Sequence, residues 1–129
     1  MRLLLDTCAV LWYFEGSERI TAPLRDTLTD PANEVYVSDV SALEVVIKHK
    51  LGKLSLNSPP NTFWNVLVRK HALTPLPISL EDMFRWHELP LLHRDPFDRL
   101  LIAQALNGNL DLVTPDPLIK QYDIRVRWD

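Results

Sequence analysis

Four acids, Asp6, Glu44, Asp98 and Asp116, stand inside or against apolar segments, where a carboxylate is costly unless something uses it. Asp6 lies between LLL and TCAVLW, Glu44 within VSALEVVIK, Asp98 within HRDPFDRLLIAQA, and Asp116 within LVTPDPL. Each also has an ordinary structural explanation. Asp95 is a good N-cap for a helix starting at Pro96, worth roughly 1 kcal/mol, and Asp98 in its first turn gains about 0.3–1 kcal/mol from the helix dipole. Glu44 can pair with Lys48 at i,i+4 for about 0.2–0.5 kcal/mol, which is small beside the several kcal/mol that burying an ion costs. Asp116 in TPDPL serves equally well as a turn residue and helix cap. Together the acids pose a harder problem. Two carboxylates 4 Å apart repel by about 4 kcal/mol at an effective dielectric of 20, so several on one edge must protonate, separate or hold a cation. Hard divalent cations such as Mg²⁺ take oxygen ligands. With water as nucleophile and a phosphodiester as substrate, such a site suits metal-assisted phosphoryl hydrolysis.

Whether the acids converge depends on the elements that carry them. Ten prolines and three glycines punctuate the chain. Between them the patterns predict strands at 2–5, 34–37, 74–78, 110–114 and 123–128. Helices are expected near 8–14, 22–30, 39–51, 59–72, 80–89, 96–107 and 117–122. Ser38 opens the third helix and Gly52 stops it, and Ser79 with Asp82 forms a capping box. Short strands separated by helices imply βαβ units. The expectation is a single domain over 1–129, a three-layer α/β/α fold with a central four- to five-stranded, mostly parallel sheet.

Ligands of such sheets bind beyond the carboxyl ends of the strands. Asp6 directly follows the first predicted strand and Asp116 follows LDLVT by two residues, while Glu44 and Asp98 reach the same edge if their helices point that way. On helix 39–51, Val40, Leu43, Ile47 and Leu51 form an apolar stripe that predicts the buried face, with Glu44 on its border. Helix 96–107 is apolar nearly all round and is expected to be buried on most sides.

The bulk numbers exclude several classes. Apolar residues make up 47% of the chain and charged residues 24%, ordinary globular values. No apolar run reaches the 18 or so residues that span a bilayer, and an acid at position 6 interrupts any signal-peptide core, so no membrane association and a cytoplasmic setting are expected. The single cysteine, Cys8, permits no internal disulfide, suits a reducing compartment and reads as a small buried apolar residue. A net charge of −3 exerts no global pull on nucleic acid, so any such contact is local.

LLLDT near the start, VYVSDVSALEVVIKHKLGKL in the middle, and LLHRDPFDRLLIAQA followed by LVTPD span nearly the whole chain. In order and spacing they resemble PIN-domain proteins of the VapC type, the ribonuclease half of type II toxin–antitoxin pairs. The resemblance implies a metal site built from Asp6, Glu44, Asp98 and Asp116. It also implies a hydroxyl near the metal, from Thr7 or Thr114, and Asp95 as an accessory acid. The implied activity is an Mg²⁺- or Mn²⁺-dependent endoribonuclease, usually a homodimer, held inactive by a cognate VapB-type antitoxin whose C-terminal segment covers the active site. Cys8 departs from relatives that often have His there. Arg94 and Arg99, flanking Asp98, are candidate contacts to RNA phosphate, as is the run Lys48, Lys50, Lys53, which surface solvation also explains. His93 reads as structural, and Trp12, Tyr13 and Phe14 as core. A haloacid-dehalogenase-type phosphatase also opens with a strand ending in Asp but needs a second Asp where Cys8 stands. The remaining alternative is a catalytically silent PIN-like module that binds RNA or a protein partner.

Overall fold

A computed structural model describes residues 1–129. Its sheet contains β1 (Arg2–Leu5), β2 (Glu34–Ser38), β3 (Thr74–Leu76), β4 (Asp111–Val113) and β5 (Val126–Arg127), in the order β3-β2-β1-β4-β5. All four pairings are parallel. The helices are α1 (Thr7–Glu15), α2 (Ala22–Thr29), α3 (Asp39–Lys50), α4 (Pro60–Lys70), α5 (Leu80–Glu88) and α6 (Pro96–Gly108).

The two-residue period of the strands divides the core between the two faces. Leu3 and Leu5 of β1, with Val35, Val37 and Val113, meet Ala9, Val10 and Tyr13 of α1, Leu24 and Leu28 of α2, and Leu67 of α4. Leu4, between them in sequence, turns to the other face with Leu112 and meets Val40 of α3 and Leu101, Ile102 and Ala105 of α6. Strands buried on both sides explain why RLLL and DLV have no polar alternation. The result is the three-layer α/β/α arrangement.

The capping chemistry follows the sequence closely. Ser79 and Asp82 form the reciprocal capping box of α5. Ser38 caps α3 by accepting from the Val40 N–H at 2.9 Å, and Gly52 takes the left-handed conformation (φ 72°) just past that helix. The C-terminal expectations need trimming. The predicted helix 117–122 is one 3₁₀ turn, Ile119–Gln121, and the strand predicted over 123–128 pairs only at Val126–Arg127. Its alternation reflects an edge strand, which has a partner on one side only.

The outer face of α3 is also corrected. Val40 is buried, but Leu43, Ile47 and Leu51 are 47%, 36% and 62% exposed. The buried face instead carries Ser41, Glu44 and Val45. Polar groups on neighbouring α1 reward that rotation, whereas the apolar stripe alone would have turned the helix the other way.

Candidate active site

Parallel connectivity places the acids at one edge. Helices α1 and α3 leave the carboxyl ends of β1 and β2. Helix α6 feeds β4, so it runs back along the sheet and its first turn lies at that same edge. Asp6 is the N-cap of α1, accepting from the Ala9 N–H at 2.7 Å. Asp95 caps α6 by accepting from the Phe97 and Asp98 amides, which leaves the Asp98 side chain free of capping duty. Asp116 closes a turn after β4, where its Oδ1 accepts from the Leu118 N–H at 2.9 Å.

The carboxylates act on one another. Burial pushes Asp6 up to about 6, opposed by hydrogen bonds from Thr114 and the Ala9 amide and reinforced by the charges of Asp116 and Glu44. Burial likewise pushes Asp98 up to about 7, with Asp95, Glu44 and Asp6 adding to it and His93 pulling the other way. Asp6 and Asp98 therefore lie in the field of neighbouring carboxylates, with too little positive charge beside them to offset burial.

Hydroxyls and two bases complete the cluster. The Thr7 hydroxyl donates to Glu44 Oε1 at 2.7 Å and lies 2.9 Å from the Ser41 hydroxyl. Lys48 Nζ lies 2.8 Å from Glu44 Oε2, so the i,i+4 pair forms beside the hydroxyl network. Thr114, fully buried, accepts from the Asp116 N–H at 3.1 Å while its side chain hydrogen-bonds Asp6. His93, read from sequence as structural, sits among the acids: its Nε2 is 3.0 Å from Asp98 Oδ2 and 3.1 Å from Asp116 Oδ2. Donor atoms of His93, Asp98 and Asp116 fall within 4.8 Å of one another. Nothing in HRDPFD alone announces this, because the contact to Asp116 spans 23 residues.

The structure also places the other candidate residues. Arg99 does not face the acids. It is 2% exposed, and its guanidinium donates to the carbonyls of Trp86, Leu89 and Pro90 and to the Tyr122 hydroxyl while stacking 4.4 Å over the Trp86 ring. These bonds brace the α5–α6 connection. Arg94, Lys50 and Lys53 are exposed. Cys8 is exposed rather than buried, because the second position of α1 points outward at the helix start. Desolvation on its inner side and the Asp6 charge push its thiol up to about 11, with Asp98 and Glu44 adding and Lys48 opposing. The aromatics are packing residues: Tyr13 is buried, Trp12 lies edge-on to Trp128, and Phe14 lies edge-on to Phe63.

The donor set fits a hard divalent cation. It offers several carboxylate oxygens, two of them on acids that burial and mutual repulsion hold partly protonated near neutrality.

Comparison with known proteins matches the profile of the PIN domain to residues 3–125. No curated protein matches the chain by sequence. Among solved structures, it is similar to the VapBC2 complex of Rickettsia felis bound to a promoter DNA fragment, with a TM-score of 0.75, 17% identity and all of both chains covered. It is also similar to the DNA-bound VapBC of Salmonella typhimurium, with a TM-score of 0.69, 16% identity and 98% and 97% of the two chains covered. FitAcB of Neisseria gonorrhoeae gives 0.64 at 20% identity, covering 96% and 95%.

Proposed function

The chain belongs to the PIN-domain family, and on that premise we propose that it is a metal-dependent endoribonuclease, the toxin of a type II toxin–antitoxin pair. One observation carries the reading: Asp6 and Asp98, at the carboxyl edge of the sheet, are pushed up to about 6 and about 7 by burial and by neighbouring carboxylates. A fold gains no stability from such an arrangement, and a divalent cation relieves it.

Asp6, Glu44, Asp98 and Asp116 would hold the ion. When bound, Mg²⁺ or Mn²⁺ supplies a water of lowered pKa and neutralises charge on the phosphoryl oxygens. The chain's own groups do the rest. A carboxylate of the cluster would accept a proton from the attacking water. The Thr7 hydroxyl fixes one oxygen of Glu44, and Lys48 the other. Lys48 remains 45% exposed at the rim, so it can also meet an RNA phosphate, and exposed Arg94 is the second cation on offer.

The partner reading rests on the similar structures, several of them VapBC complexes, and on apolar surface without a partner in the monomer. A VapB-type antitoxin and a second copy of the chain would bury it. Leu43, Val46 and Leu51 on α3 and Leu80 and Phe84 on α5 are 47%, 48%, 62%, 66% and 65% exposed. No helix is long and apolar enough to cross a membrane. A cytoplasmic site of action is part of the proposal.

The test is RNA cleavage with Mg²⁺ or Mn²⁺ by the wild-type protein beside an Asp98→Asn variant. Cleavage by the wild type and none by the variant is expected. Equal activity in both, or none in either, overturns the enzyme assignment in favour of a binding module.

A further inference from the structure

His93 brings nitrogen into an otherwise oxygen-rich cluster, and its hydrogen bonds decide what it does there. Its Nδ1 lies 3.1 Å from the Asp95 backbone N–H. An amide N–H only donates, so Nδ1 must present a lone pair, and the neutral ring then carries its proton on Nε2. At the other end, Nε2 meets Asp116 Oδ2 at 3.1 Å and Asp98 Oδ2 at 3.0 Å, both acceptors when ionised. The two ends agree. Turning the ring over would set carbon atoms against both partners and forfeit both interactions. The residue is also anchored, since the His93 backbone N–H donates to the Tyr122 hydroxyl at 2.9 Å and the residue is only 9% exposed.

A histidine that ligates a metal is arranged the other way: one nitrogen gives its lone pair to the ion while the other donates its N–H to a carbonyl or carboxylate. Ligation through Nε2 here would place a proton on Nδ1 facing the Asp95 N–H, donor against donor. Proximity of His93 to Asp98 and Asp116 therefore does not make it a ligand.

We propose that His93 is a positioning residue whose Nε2–H, fixed by the Asp95 amide, donates to Asp116 Oδ2 beside Asp98 Oδ2 and leaves the cation to be bound by oxygen alone. With Leu118 N–H on Asp116 Oδ1, both oxygens of that carboxylate are oriented by donors. Excluding imidazole from the shell biases the site toward Mg²⁺ and Mn²⁺ and away from Zn²⁺, Co²⁺ and Ni²⁺, which gain most from nitrogen. The cation half of this inference rests on the metal-site reading above, whereas the hydrogen-bond half does not.

Two sets of measurements separate those halves. In chelator-treated protein at alkaline pH, long-range ¹H–¹⁵N NMR is expected to show His93 protonated at Nε2 and bare at Nδ1. The reverse tautomer overturns the proposal. In Mn²⁺-loaded protein, electron spin-echo spectroscopy is expected to show no directly bound imidazole nitrogen, and a coupling that disappears in His93→Gln overturns it. Mn²⁺ titration is expected to leave His93→Gln, which keeps an N–H donor, within about threefold of wild type. His93→Leu is expected to weaken binding roughly 10–100-fold, the usual loss on removing a residue that orients a ligand. Wild-type affinity in His93→Leu, or equal loss in both variants, overturns the positioning role. If His93→Leu does not fold, the two spectroscopic readouts on wild-type protein still decide. Failure of wild-type protein to bind Mn²⁺ would overturn the metal-site reading and the cation half together, while the tautomer in chelated protein judges the hydrogen-bond half on its own.

Discussion

Asp6, which follows β1, and Asp111, which opens the neighbouring β4, are 4% and 6% exposed and are treated in opposite ways. Asp111 opens β4 at the amino edge. Burial works to raise its pKa, but hydrogen bonds and charges from Arg125 and Arg127 outweigh it and hold the carboxyl below its usual range. Arg127 Nε lies 2.7 Å from Asp111 Oδ2, and Arg125 engages Oδ1. Asp6, at the carboxyl edge, has a backbone amide and a threonine hydroxyl for partners and two further acids for neighbours, and it rises to about 6. At the amino edge the fold neutralises a buried acid with arginine. At the opposite edge it gathers acids and gives Asp6 no cationic partner. Burial of a carboxylate does not by itself mark a functional site; buried acids gathered at the carboxyl edge of a parallel sheet, raising one another's pKa, mark a candidate one.

The largest expected effect is on cleavage. Asp6→Asn keeps an oxygen to accept from the Ala9 N–H, so α1 stays capped and the change isolates the charge. We expect RNA cleavage to fall at least about a thousandfold, roughly 4 kcal/mol of transition-state stabilisation, while Asp111→Asn stays within about threefold of wild type. An Asp111 variant that stays folded by circular dichroism yet loses as much activity would break the contrast. Next comes ligand stabilisation, read by calorimetry. Mn²⁺ at 100 times its Kd should stabilise wild-type protein by about 2.7 kcal/mol, stabilise Asp111→Asn by the same increment, and leave Asp6→Asn with a much smaller one. Equal increments in all three would place the ion elsewhere. In metal-free protein the ranking reverses. Asp111→Asn should lower stability by about 1–2 kcal/mol in denaturant melts, a loss limited because the side chains of Arg125 and Arg127 are 60% and 37% exposed. No loss at all would mean that the arginine pair is ornamental.

Much of this contrast could be read from the chain. Apolar runs bounded by proline, glycine and capping residues locate β1, β2 and α3 to within a residue, because those signals are local. Asp6 and Asp116 follow strand patterns directly, so their edge is fixed once the sheet is known to be parallel. What resisted reading was anything set by contacts across the fold. The stripe Leu43, Ile47, Leu51 suggests a buried face, yet the Thr7 hydroxyl bonds both Glu44 and Ser41, draws that side of the helix inward and leaves the stripe outside. Arg99 looks like a phosphate contact because it adjoins Asp98. Successive helical residues diverge by 100°, however, and its side turns toward the carbonyls of Trp86, Leu89 and Pro90. His93 carries no signal of its own, since its role depends on a turn 23 residues away.

The smallest effect is also the most diagnostic of sign. Asp6, raised to about 6, holds its proton in the folded state at pH values where the unfolded chain has released it. Its contribution to metal-free stability is complete below the unfolded value near 4 and is lost as pH rises through about 6. Asp111, held low by its arginines, contributes in the opposite sense: its stabilisation is present above the unfolded value and is lost as pH falls. Metal-free stability should therefore decline from mildly acidic to neutral pH, and Asp6→Asn should flatten that decline by a few tenths of a kcal/mol between pH 6 and 7. Asp111→Asn should leave that window untouched and change the acid limb instead. Urea melts in chelator across the series read both slopes. Burial lowers the pKa of His71, whose own contribution grows with pH, so the difference between wild type and Asp6→Asn is the readout. A difference that stays flat through that neutral window would mean that Asp6 is already compensated, and the need for a bound cation would go with it.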